Sequence, residues 1–341
     1  MNRLKHSVAM GAIILCVPGM ASAIEYNMGK FSAKLTGYAT GGIIEPEFKS
    51  TLFIGDWRGR GQITYTVNNT HKLGLVYAMD QAAIDKGNFS RETFALWEIK
   101  NLGRLEVGYT DSVARKLGVG LPDVGGLRIN DRPLYNEKII PDGPIIPDTT
   151  LTSGRAAPRI NLTTASKSGV QYGLSATSFS DEYDWAIDAG IKLRHPNGKV
   201  KTAYSIGASF MDNPNGFDPE VYTPAVTADW RAQMSLGMNL QYNSWIWATT
   251  ARVIYDQNPI DTASDGFVLG TGFSYDLLRY SISLTYMFSD TGVWHSDKPN
   301  FQDNMLVASF RYKYSENVDM WMSGGTTSQT PFFSAGLRLT F

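Results

Sequence analysis

The chain has 341 residues, with 31 Lys and Arg against 32 Asp and Glu and a net charge of −1. That balance leaves no basic surplus to neutralise nucleic-acid phosphates. A single cysteine excludes both a disulfide framework and a thiolate metal centre.

At the amino end, Arg3 and Lys5 precede an apolar stretch from Val8 to Val17, and Ala21-Ser22-Ala23 supplies small residues for cleavage. Residues 1–23 therefore read as an export signal. The stretch is shorter than the ~20 residues that a bilayer-crossing helix needs. Cys16 lies inside it, so a mature chain starting near Ile24 is expected to contain no cysteine and to carry 29 basic against 32 acidic residues, a net −3.

From Ile24 onward the hydrophobic period is two. Turn residues bound strand cores at 30–41, 50–68, 72–81, 90–100, 103–111, 156–165, 169–179, 184–194, 199–212, 226–243, 244–257, 265–276, 279–289, 302–315, 318–327 and 332–341. About sixteen strands is the kind of even number expected of a bacterial single-chain transmembrane barrel. Between Val226 and Tyr242 every even position is apolar, Trp230, Met234, Leu236 and Leu240 among them. Every odd position there is polar or glycine, as at Arg231, Gln233, Ser235 and Asn239. The pattern returns at Trp185, Ile187, Ala189, Ile191 and Leu193, at Tyr280, Ile282, Leu284, Tyr286 and Phe288, and at Phe333, Ala335, Leu337, Leu339 and Phe341. Successive strand side chains point to opposite faces, so each strand has an apolar and a polar side. No helical spacing competes with this.

Short connections at 68–71, 101–103, 166–168, 195–198, 243–244, 276–279 and 316–317 alternate with mostly longer ones at 42–49, 82–89, 112–155, 213–225, 258–264 and 290–301. Short turns on the periplasmic side and longer loops outside are a barrel property. Charges are almost absent from the apolar faces, with Arg91 the exception beside Ala95, Trp97 and Ile99. A charge at the bilayer midplane of a barrel costs about 2–4 kcal/mol, so a clean apolar face fits contact with lipid. The charged face fits a wall around water. Trp230, Tyr242, Trp245, Tyr255, Tyr275, Tyr280 and Tyr312 lie near strand ends, where interfacial aromatic girdles form.

The segment 112–155, 44 residues long, exceeds ordinary connections and is expected to be functional. Its Ile139, Ile140, Ile145 and Ile146 call for a packing partner. With its cleavable signal, sixteen strands, terminal Phe341 and long loop after the fifth strand, the chain resembles the Gram-negative general porins. The resemblance covers essentially the whole mature chain and rests on layout. It implies an all-β transmembrane antiparallel barrel of residues 24–341 with its third loop, 112–155, folded into the pore. It also implies a homotrimer in the outer membrane of a Gram-negative bacterium, passing small hydrophilic solutes and ions by passive diffusion, with membrane lipid as its surroundings. In such a pore, acidic loop residues face a basic wall, and a narrow low-dielectric passage concentrates the field between them. On that pattern the wall candidates are Lys34, Arg58, Arg60, Arg155 and Arg159, and the loop candidates are Asp123, Asp131, Glu137, Asp142 and Asp148. The loop also carries Arg115, Lys116, Arg128, Arg132 and Lys138, which departs from a plainly acidic loop. Inward Arg231, Arg252, Arg311 and Arg338 are expected to line the wider lumen. The strand at 90–100 and the first and last strands are the candidate contacts between copies.

No catalytic constellation stands out, so no enzyme is expected: His71, His195 and His295 fall in separate connections. Neither a cofactor nor a bound metal is called for, and Asp181, Glu182 and Asp184 read as a solvated acidic loop. The alternative reading is a substrate-selective outer-membrane channel. An arginine excess on the polar face favours anions or phosphate over sugars, since inward aromatics are few, chiefly Tyr38 and Trp321.

Overall fold

The structure is a computed structural model that describes residues 23–46, 51–80, 90–125, 156–180, 183–196, 198–212, 229–257, 263–290, 302–327 and 331–341. The chain up to the third loop forms β1 (Ile24–Met28), β2 (Phe31–Pro46), β3 (Leu52–Thr66), β4 (His71–Asp80), β5 (Glu92–Ile99) and β6 (Gly103–Thr110). A single turn of helix, α1 (Val113–Leu117), follows. Then come β7 (Ala157–Thr164), β8 (Val170–Ser180), β9 (Tyr183–His195), β10 (Val200–Asp212), β11 (Trp230–Tyr242) and β12 (Trp245–Gln257). The chain finishes with β13 (Ala263–Leu277), β14 (Tyr280–Asp290), β15 (Gln302–Lys313), β16 (Val318–Thr327) and β17 (Pro331–Thr340).

Each strand from β2 to β17 pairs antiparallel with its neighbour in sequence, and β17 pairs back onto β2. The sheet is a closed barrel of sixteen strands. Closure satisfies the edge amides and carbonyls, as a bilayer without hydrogen-bonding solvent requires. The expected strands all appear, most within two residues of their expected ends; residues 226–228 lie outside the described set.

Two differences concern the seam. β1, unforeseen in the sequence, pairs with β2 from Ile24 opposite Leu35 to Met28 opposite Phe31. It lies end to end with β17, which occupies the same edge of β2 from Tyr38 to Pro46. β2 also runs through residues 42–46, which the sequence places in a loop. Gly41, Gly42 and Gly336 look like strand breakers. Gly42 and Gly336 permit close approach instead: a Cβ on Gly336 would sit 2.7 Å from Trp321 Cζ2 and 2.8 Å from the Gly42 Cα. At the other end of the seam, Phe341 and Gly37 exchange two backbone hydrogen bonds of 2.6 and 2.9 Å.

One barrel end carries the short turns, with left-handed backbone at Asn101, Ser168, Asn243 and Leu278. Outward residues are exposed and apolar, among them Leu75, Ile160, Leu174, Ile187, Leu236, Val253 and Leu284. Two aromatic rims bound this band. Trp245 packs on Tyr275, and Tyr280 on Tyr312, near the short turns; Trp185, Phe210, Trp230 and Tyr255 form a stacked row at the opposite end. Arg91 is no exception on the lipid face. It precedes β5, and its guanidinium turns to the buried carboxylates of Asp80 and Asp111 at 3.1 and 3.4 Å.

Candidate functional site

The inward face is polar along most strands, but the space it encloses is not uniform. With strands ~4.8 Å apart and tilted ~40°, a sixteen-strand barrel has a backbone radius of roughly 16 Å, room for a packed segment and a water channel side by side. Residues 111–125 fill one side. They leave β6, enter the barrel and follow its inner wall. Ser112 caps α1, accepting from the Arg115 N–H. Val113 N–H donates to Ser175 Oγ on β8 (2.7 Å), Val119 N–H to Ser205 Oγ on β10 (3.0 Å) and Val124 N–H to Ser283 Oγ on β14 (3.2 Å). Thr285 Oγ1 donates to the Pro122 carbonyl, Lys192 Nζ to that of Gly118, and Arg338 to that of Gly125. The segment therefore touches the wall from β8 round to β17.

The wall has the side chains to receive it. A Cβ on Gly190 would lie 2.9 Å from the Ala114 Cα, one on Gly237 2.9 Å from Val119 Cβ, and one on Gly272 2.9 Å from Pro122 Cδ. Glycine and serine recur at the same height on successive strands, and the belt sits in the groove they leave. Val113, Ala114, Leu117 and Leu121 are buried against the wall. Beyond the belt, Ile44, Val268, Met287, Met305, Val307, Trp321 and Phe332 form an apolar inner cluster with Leu121. The inner face there is a packed core and not a wetted wall. Trp321 still satisfies its indole N–H, on Thr40 Oγ1 at 3.0 Å.

Elsewhere on the inner face, charges are closed into pairs. Arg159 meets Asp188 at 2.6 Å with both side chains fully buried, and Arg231 forms a two-pronged pair with Asp256. Arg252 is completely buried as well. Arg159, Arg231 and Arg252 thus lie on the inward face as their parity predicts, but they present no charge to lumen water. The expectation that they line the pore does not hold: parity fixes the face and cannot reveal that a guanidinium on it is buried.

The wetted inner wall lies on β2 and β3, where Thr36, Tyr38, Arg58, Arg60, Gln62 and Thr64 are half-exposed and Lys34 is exposed. Arg58 and Arg60 both reach the buried Glu92 Oε2 at 3.4 Å. Tyr38 donates to Asp56 Oδ2 at 2.9 Å. Next to Arg60, on β5 and β6, the face carries Phe94, Arg104 and Glu106. Lys116 reaches over from α1 to pair with Glu106, which also accepts from Asn161 at 3.0 Å. Arg311 and Arg338 lie nearer the short-turn end, paired with Asp276 and Asp319 at 3.5 and 3.2 Å.

Of the sequence candidates, Lys34, Arg58 and Arg60 share the open wall. Asp123 lies on the belt, where its Oδ1 accepts the Gly125 N–H at 2.8 Å. Arg155, Asp131, Glu137, Asp142 and Asp148 lie outside the described residues, as do the loop isoleucines, residues 1–22 and the 181–182 part of the acidic loop. Glu92, Phe94, Arg104 and Glu106 went unnoticed in the sequence. The even parity of 92, 94, 96 and 98 was their only signal, and the charge of Arg91 on the other parity obscured it. Of the histidines, His71 sits on the outer rim and accepts the Trp97 indole N–H at 3.2 Å.

A family model described as Gram-negative porin matches residues 8–330. Among solved structures, the trimer form of in-vitro folded OmpT, an outer membrane protein of Vibrio cholerae, is similar at 11% identity and a TM-score of 0.67, covering 91% of this chain and 99% of that one. An anion-selective porin from Comamonas acidovorans has 11% identity and a TM-score of 0.65, covering 91% and 100%. Salmonella typhi OmpF in complex with daunomycin has 11% identity and a TM-score of 0.66, covering 93% and 100%. No curated protein matches the chain.

Proposed function

Because the chain belongs to the Gram-negative porin family, we propose that it forms a water-filled outer-membrane channel whose passage runs along the inner wall of β2 and β3, opposite the 111–125 belt. The carrying observation is the asymmetry of the inner face. Thr36 and Tyr38 on β2 and Arg58, Arg60, Gln62 and Thr64 on β3 stay half-exposed, whereas residues beneath the belt, such as Ser175, Ser205, Ser283 and Thr285, are buried. Solutes move down their gradients. Apolar ones are disfavoured because the passage is lined by Lys34, Arg58, Arg60 and Gln62, whose hydration they would disturb.

Residues 1–23 serve as the export signal in this reading, and 112–155 as the constriction loop, with Asp123, Asp131, Glu137, Asp142 and Asp148 its acidic members. Arg155, at the loop's end, belongs with the basic wall. Three copies associate, which the trimer form of the similar Vibrio cholerae protein supports. The outward face of β2 and β3, flattened by Gly37, Gly41, Gly55, Gly59 and Gly61, supports it too. The chain acts as a channel and not as an enzyme: its buried charges are spent on pairs that hold the belt and wall.

The test is single-channel recording of the mature chain refolded in detergent and added to a planar bilayer. Stepwise conductance, grouped in threes, is expected. A folded, heat-modifiable barrel that conducts nothing would refute the open passage.

A further inference from the structure

Three cations converge on one aromatic ring at the edge of the open wall. The guanidinium carbons of Arg60 and Arg104 each lie 5.8 Å from the Phe94 ring centroid, and Lys116 Nζ lies 4.7 Å from it. They come from β3, β6 and the belt, so only the folded chain assembles them. Charges of one sign repel, and the ring is part of what holds them: its negative face attracts cations within about 6 Å. Unlike a carboxylate, it does so without neutralising them.

The carboxylates that do pair with these cations are shared and sunken. Glu106 serves both Arg104 and Lys116, and Glu92 serves both Arg58 and Arg60. Glu106 and Glu92 keep only 7% and 2% of their side-chain surface, against 33%, 31% and 27% for Arg60, Arg104 and Lys116. Water in the passage therefore meets guanidinium and ammonium groups, while the acids stand behind them. Asp56, the half-exposed acid on this wall, lies toward the other end of β3 and is engaged by Tyr38.

Resting on the channel reading above, we propose that the passage selects anions, and that Arg60, Arg104 and Lys116 form a transit site for small oxyanions, meaning phosphate and carboxylate groups. Guanidinium forks match the paired oxygens of these groups, and the lysine adds a point charge. A carboxylate or phosphate reaching the cluster exchanges hydration for charge-assisted hydrogen bonds. The site stays open to water, so the anion leaves again.

The experiment is the zero-current potential of refolded wild-type channels in a potassium chloride gradient, followed by addition of inorganic phosphate. Expected are chloride permeability above that of potassium and a phosphate-dependent fall in chloride current. One unit charge about 6 Å from the ion path, in water, changes the local ion concentration about threefold. The change is upward for chloride and downward for potassium, so Lys116→Gln should lower the chloride-to-potassium permeability ratio by up to about ninefold. The triple variant Arg60→Gln, Arg104→Gln, Lys116→Gln should abolish both the preference and the phosphate effect. Lys116 lies outside the strands, so the single variant remains informative if the triple one does not fold. A channel that prefers potassium overturns the proposal and leaves the porin reading standing. So does an anion preference that Lys116→Gln leaves unchanged. A wild-type current insensitive to phosphate overturns the oxyanion site. Absence of conductance from a folded barrel refutes the porin reading itself.

Discussion

Gly190 on β9 gives the sharpest handle on the belt. Burying Val113 and Leu117 contributes about 2 kcal/mol each. The hydrogen bonds to Ser175, Ser205 and Ser283 contribute about 1 kcal/mol each, so the belt is held by on the order of 7 kcal/mol. Gly190→Ala places a Cβ 2.9 Å from the Ala114 Cα, with further backbone atoms, Ala114 N and the Val113 carbonyl, at 3.2 Å. The helix turn must retreat by roughly half an ångström, an overpacking cost of about 1–3 kcal/mol. That is less than the hold, so the alanine variant should keep wild-type conductance with a modest loss of stability. Gly190→Leu adds three more carbons where α1 already packs, and only displacement of the belt makes room for them. The barrel should still form, because the ladders from β9 to β8 and β10 lie in the wall itself. The belt should come away, and single-channel records should replace one steady level with frequent partial closures. Ala176→Leu, facing lipid on β8, is the matched control and should leave the records unchanged. A quiet, wild-type conductance from a folded Gly190→Leu barrel would refute the packing of 111–125 against this wall.

Asp188→Asn leaves Arg159 with its buried ionic partner neutralised and should lower stability by about 3–5 kcal/mol in urea unfolding from detergent. Asp276→Asn, at the half-exposed pair with Arg311, should cost under about 1 kcal/mol. Comparable losses at both sites would contradict the burial on which the contrast rests. Leu278 is 98% exposed at a φ of +50° in a short turn. Leu278→Asn should raise stability by about 1 kcal/mol by relieving left-handed strain, read as a higher heat-modification temperature. At the seam, Gly37→Ala directs a Cβ into the Arg58 carbonyl and 2.6 Å from the Phe341 ring, whereas the same change at Gly41 meets nothing within 4 Å. Refolding yield should fall for the first only, and equal yields would refute the role of the Phe341–Gly37 contact in closing the barrel.

The period of two, together with the placement of charge, was enough to read sixteen strands and their lipid-facing side from the sequence. Each property is local: a strand with one face in hydrocarbon must alternate, whatever its neighbours do. Lys34, Arg58 and Arg60 were legible for the same reason, because Ile63 and Tyr65 mark the opposite face of their hairpin. Where glycine is a breaker in one context and a docking surface in another, local reading failed. Gly42 and Gly336 at the seam, and Gly190, Gly237 and Gly272 under the belt, take their meaning from atoms far away in sequence. Arg159 and Arg60 have the same inward parity, yet one is closed onto Asp188 and the other faces water. What separates them is burial, 0% of the side chain exposed against 33%. The sequence by itself determined the barrel, its lipid-facing side and the residues that point inward. The tertiary structure decided which of those residues meet water and which cations gather around Phe94, because both depend on where a segment crosses a wall that is periodic along its whole circumference.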